Sequence, residues 1–106
     1  MGPQISLPMN VKKTLKKLGN DIREARIRRR ISTQLMADRV GTTRVTLHSI
    51  EVGSSQVSMG LYATCLYVLG LLGNLNSVAD IANDKVGQAL ASDTLPKRIK
   101  TKGSLL

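Results

Sequence analysis

Four residues near the middle of the chain, Arg44, Val45, His48 and Ser49, have side chains suited to meeting base edges: a guanidinium, a small aliphatic group, an imidazole and a hydroxyl. Their spacing at i, i+1, i+4 and i+5 sets them along one face of a helix. Arg44 is able to span guanine O6 and N7, Val45 to meet a thymine methyl, and Ser49 to reach a neighbouring edge. His48 suits a base, a phosphate or a place on the rim. Around them stand hydroxyl and amide side chains fit for phosphate oxygens: Thr33, Thr43 and Thr46, then Ser54, Ser55 and Gln56. The segment holding Ser54 to Gln56 equally suits a solvated turn. Lys12 and Lys13 head a basic run that can neutralise phosphates or simply solubilise a helix face.

Chemistry of other kinds finds little support. One His, seven carboxylates and a single Cys, Cys65, offer no nucleophile with a base and an orienter. They form no metal-binding pattern, and no Gly-rich phosphate cradle is present. No metal, no cofactor and no enzymatic activity are expected.

The elements that must position these groups lie between Ser32 and Gly53. Met36, Ala37 and Val40 share the face of one short helix, Leu47 and Ile50 that of a second, and Gly41 stands between them as a left-handed stop. Ala37 belongs where the two helices cross most tightly, since a methyl lets the backbones approach. Ser32 and Thr43 read as N-caps. The second helix would then turn Arg44, Val45, His48 and Ser49 outward, as insertion into a major groove requires.

VGTTRVTLHSIEVG, residues 40–53, resembles the phage-repressor type of helix-turn-helix, the Cro/C1 or XRE family, and the resemblance runs from about Leu18 to Leu72. It implies an all-α, five-helix DNA-binding domain, double-stranded operator DNA as partner, and a structural ion pair between Arg26 and Glu51 joining helix 1 to helix 3. Two positions depart from the family pattern. Thr33 stands where Gln is common, and Arg30 where helix 1 often ends on Gly, a place where a non-Gly residue costs about 1 kcal/mol.

The 106 residues suit one domain, with an aliphatic core because Trp and Phe are absent and only Tyr62 and Tyr67 are aromatic. No apolar run reaches membrane-spanning length, residues 1–10 lack the pattern of a signal peptide, and a lone Cys makes no internal disulfide. A cytoplasmic, non-membrane protein is expected. The net charge of +9 is uneven: residues 1–30 carry +7, residues 31–95 carry −2, and the end from Pro96 carries +4. Attraction for phosphate must therefore come mainly from helix 1 and the two ends.

Residues 1–10 read as a flexible lead, residues 11–83 as the domain, and residues 84–106 as a short helix around Val86 to Ala91 with a basic tail. Helix 1 carries Leu15, Leu18, Ile22 and Ala25 at helical spacing. Gly19-Asn20 interrupts it, so it starts at Val11 or as late as Leu18, with Val11 to Lys17 forming an extra turn or a basic arm. Ser58 caps a fourth helix that Gly70 stops, and LLGNLNSVADIA offers a fifth. Helix 4 is apolar nearly all round. The simplest use of that excess is a homodimer or partner surface through Leu66, Leu69, Leu72 and Leu75.

SMGLYATCLYVLGLL together with the LPKRIK ending, residues 95–100, resembles antitoxins of the HipB type, whose genes accompany HipA-like serine/threonine kinases. That resemblance implies a repressor that restrains such a kinase and autorepresses its operon. The alternative is a stand-alone phage-repressor-like regulator without a kinase partner.

Overall fold

The computed structural model describes residues 6–91; the first half of the expected lead and the whole of the expected basic tail lie outside the described residues. The described chain is all-α, with six α-helices rather than the expected five. They are α1 (Met9–Arg28), α2 (Thr33–Val40), α3 (Arg44–Glu51), α4 (Met59–Leu69), α5 (Leu72–Asn76) and α6 (Lys85–Leu90), with a single 3₁₀ turn at Ile81–Asn83. None of these helices is long and apolar enough to cross a membrane. The chain divides into two compact units after Leu75.

α1 is one unbroken helix of 20 residues that begins inside the expected lead, where the Pro8 carbonyl accepts from the Val11 and Lys12 amides. Gly19 does not interrupt it. A Cβ there would stand 2.5 Å from the Ile50 carbonyl oxygen and 2.6 Å from the Gly53 nitrogen, so the residue is buried where α1 lies directly on the end of α3. The helix accepts the poor propensity of Gly because only hydrogen fits.

Each of the first four helices closes with the same pair of bonds, in which two amides beyond the helix donate to carbonyls of its last turns. For α2 these are Thr42 to Ala37 at 2.9 Å and Gly41 to Asp38 at 3.2 Å, with Gly41 at φ +84°. For α1 they are Ile31 to Arg26 at 3.2 Å and Arg30 to Ile27 at 2.9 Å. Arg30 takes the left-handed position itself, at φ +55°. The serine and threonine caps stand as expected: Ser32, Thr43 and Ser58 accept from the amides of Leu35, Thr46 and Leu61.

The core of the first unit gathers Ile22 and Ala25 from α1, Met36, Ala37 and Val40 from α2, Leu47 and Ile50 from α3, and Tyr62, Cys65, Leu66 and Leu69 from α4, with Ile31 from the link after α1. Leu66 and Leu69, expected to face a partner, are spent on this core. An eight-residue helix can close its neighbours only by offering two or three side chains, so α4 must supply the rest. Leu75 packs against the same core, and Leu72 is half-buried.

The second unit, from Asn76, has no buried residue among those described. Asp80 accepts from the Ala82 amide and Asp84 from that of Gly87, both at 2.9 Å. Gln88 donates to the Ile81 carbonyl. These caps start new elements, which is why the expected fifth helix ends at Asn76 instead of running on through Val78 and Ala82.

Gly19→Ala should lose about 2 kcal/mol or more in urea unfolding, because overpacking against backbone outweighs the gain in helix propensity. Gly73→Ala in α5, where a Cβ meets nothing within 4 Å, should be neutral or stabilising. The Cys65 thiol is fully buried, and burial first, with the nearby Glu51 carboxylate second, raises its pKa from 9.0 to about 11. At pH 8 the folded thiol is ionised in about one molecule per thousand, against roughly one in ten for an ordinary thiol. Labelling by a disulfide reagent should therefore be at least 100-fold slower in the folded chain than in urea. The stabilising effect of keeping this thiol neutral holds below pH 9 and is lost as pH rises toward 11.

Candidate nucleic-acid interface

α2 and α3 meet through a turn of three residues, and both start on a side-chain cap, so each short helix has a defined first turn. The inner face of α3 is taken up completely: Leu47 and Ile50 are in the core and Glu51 is buried. Arg26 donates from Nε to Glu51 Oε2 at 2.8 Å and from Nη2 to Oε1 at 3.1 Å. Its Nη1 donates to the Ile31 carbonyl at 2.9 Å. One guanidinium thus joins α1, the link before α2 and the end of α3. Among the described residues no buried side-chain polar atom lacks a partner.

The outer face of α3 is open. Val45 is 78% exposed, Arg44 and His48 are exposed, and Ser49 is half-buried. With Thr33 from the start of α2, these four line a shallow cleft of about 450 Å³. All four expected base-edge residues and one expected phosphate residue therefore share one surface. Arg44 makes no ion pair within the described residues. Ser49 donates its hydroxyl to the Val45 carbonyl at 3.3 Å, which leaves it as an acceptor.

The other expected phosphate residues divide. The Thr43 hydroxyl accepts from the Thr46 amide and donates to the Thr46 hydroxyl at 3.2 Å, leaving the Thr46 proton as the one free to turn outward. Ser54 is half-buried and its polar groups are engaged: its hydroxyl accepts from the Gln56 amide at 3.1 Å, its amide donates to the Ser49 carbonyl, and its carbonyl accepts from the Tyr62 hydroxyl at 2.7 Å. Ser55 and Gln56 are exposed. They line a second cleft of about 450 Å³ with Lys12, Lys16, Leu15, Gly53, Ser6 and Leu7. Lys13, expected beside Lys12, is not part of it.

One contributor was not read from the sequence: Tyr62 holds the loop after α3 through its hydroxyl. It carried no signal of that role, because a buried aromatic is ordinarily core. Lys16, from the basic run expected to attract phosphate, joins Lys12 one turn on. Neither a family model, nor a curated protein, nor a solved structure matches the chain.

Glu51→Ala should lower stability by roughly 3 kcal/mol, most of it from leaving the buried Arg26 charge unpaired. Denaturant unfolding measures it; a midpoint equal to that of the parent would remove the pair from its structural role.

Proposed function

We propose that the chain is a sequence-specific DNA-binding repressor that sets α3 into the major groove of double-stranded operator DNA. The observation that carries this reading is the contrast between the two faces of α3. Its inner face is fixed by the core and by two bonds from Arg26, while Arg44, Val45 and His48 stand outside it in an open cleft. A short helix that is both rigid and exposed needs no ordering on binding, so its contacts convert more fully into affinity.

Each side chain then has a chemical role. Arg44, in the first turn, donates to guanine O6 and N7, and Val45 covers a thymine methyl. Ser49, its proton already given to Val45, accepts from an exocyclic amine of adenine or cytosine. His48 completes the rim. Thr33 and Thr46 donate to phosphate oxygens on either side and set the register. The reading places the protein in the cytoplasm, where DNA is available.

For a homodimer on a pseudo-palindromic operator, the available apolar surface is smaller than expected, since Leu66 and Leu69 are core. Leu72 and the 69%-exposed Tyr67 remain to meet a second copy. The kinase partner rests on the resemblance of residues 58–72 together with residues 95–100; the latter lie outside the described residues, and in the former Leu66 and Leu69 are core.

With an operator selected from a random pool, Arg44→Ala should reduce the preference for that site over random DNA by about 1 to 3 kcal/mol while leaving the fold unchanged by circular dichroism. An unaltered preference would place the reading face elsewhere.

A further inference from the structure

The second cleft sits at the far end of α3 from Arg44 and has no role in base reading. Its polar side chains are Lys12 and Lys16 from α1, Ser55 and Gln56 from the loop after α3, and Ser6; no carboxylate lines it. Neighbouring Lys17 is already committed to Asp21 at 2.6 Å, whereas neither Lys12 nor Lys16 is paired within the described residues. Two unpaired ammonium groups and three neutral hydrogen-bonding side chains around one cavity form a site for an anion with several acceptor oxygens.

The walls are held before any ligand arrives. Gly53, at φ +80°, brings the loop so close to α1 that a Cβ would stand 2.6 Å from Lys16 Cα. Ser54 is bonded through its amide, its hydroxyl and its carbonyl, which fixes the backbone from which Ser55 and Gln56 project. Gln56 Nε2 lies 3.5 Å from Ser55 Oγ, so the two side chains share one edge of the cleft. The end of α3 alone would disfavour an anion by about half a unit charge, and two ammonium groups outweigh it.

We infer that this cleft clasps a phosphate group of the DNA backbone, giving the protein a phosphate clamp built from α1 and the loop after α3. The inference rests on the DNA-binding reading for the source of the phosphate, and on the cleft alone for its chemistry. α3 is about 12 Å long, which is also about the width of the major groove. With Arg44 at base edges, a cleft at the opposite end of α3 meets the backbone that walls the groove. The extra turns at the start of α1 then have a purpose: they carry Lys12 and Lys16 to the loop.

The experiment measures binding of the full chain to random duplex DNA across a salt series, for the parent, Lys12→Gln, Lys16→Gln and the charge-matched Lys17→Gln. Each of the first two should flatten the slope of log affinity against log salt by about 0.9, and the third should change it little. Gln56→Ala should weaken binding less in a Lys16→Gln background than in the parent. Equal effects of all three lysines would mean diffuse attraction and overturn the clamp. A parallel titration with inorganic phosphate at constant ionic strength, followed by the amide signals of Ser55 and Gln56, separates the sources. Shifts there with unchanged salt slopes would make the site one for free phosphate esters and overturn the backbone assignment. If the chain binds no DNA at any salt, the repressor reading fails, and the same titration decides the cleft: no shift would overturn it as a phosphate site, and saturable shifts would keep it.

Discussion

The position of α3 depends on the guanidinium of Arg26. Eight residues are far too few for a helix to persist by itself in water, so α3 exists only as its neighbours hold it. Leu47 and Ile50 anchor it by burial, but apolar contacts are nondirectional and permit sliding. Two parallel bonds from Arg26 to Glu51 do not. A buried ion pair is weak evidence for stability, since removing two charges from water costs much of what their attraction returns. Here its effect is geometric: it fixes the rotation of α3, and hence which four side chains face outward.

The sequence carried the signals that are local in origin. Ser32, Thr43 and Ser58 are caps because each hydroxyl bonds an amide three residues on, and the faces of α3 follow from its period. Signals that depend on a distant backbone were misleading. Gly19 reads as a helix breaker by propensity, yet its reason is the Ile50 carbonyl, 31 positions away in the chain. Leu66 and Leu69 read as surplus because periodicity counts apolar residues without knowing how much core two eight-residue helices leave unfilled. Ser54 and Ser55 are the same residue type side by side, and only the loop's turn decides that one is half-buried with its hydroxyl bonded to the Gln56 amide and the other is exposed in the cleft. The count of helices failed for a similar reason: Asp80 and Asp84 each start a new element where apolar spacing alone suggested continuation.

Charge and geometry are distributed differently along the chain. The segment with the outward face of α3 is slightly acidic, and Arg44 is the single cation of that helix at neutral pH. Residues 1–30 hold most of the positive charge, but they are not uniform. Arg26 is buried and structural, Lys17 and Arg28 stand beside acids of their own helix, and Lys12 and Lys16 line a cleft. Net charge therefore overstates the attraction that any one surface can exert, and what matters is which cations remain unpaired where the backbone is rigid.

The left-handed Arg30 belongs to the same scheme as the ion pair. An L-residue in that region is disfavoured by about 1 to 2 kcal/mol, and the endings of α2, α3 and α4 avoid the cost with Gly. At the end of α1 the strain is held by bonds in both directions between two residues. The Ile31 amide donates to the Arg26 carbonyl, and Arg26 Nη1 donates back to the Ile31 carbonyl. Burial of the Ile31 side chain keeps that loop closed. The backbone turn at Arg30 is what brings the Ile31 carbonyl within reach of the guanidinium, so the strained residue positions the third acceptor of Arg26. Relaxing the turn would leave one donor of a buried cation without a partner, a cost comparable to the strain itself. The left-handed conformation and the bidentate grip on Glu51 are thus two parts of one arrangement that sets α3 in place.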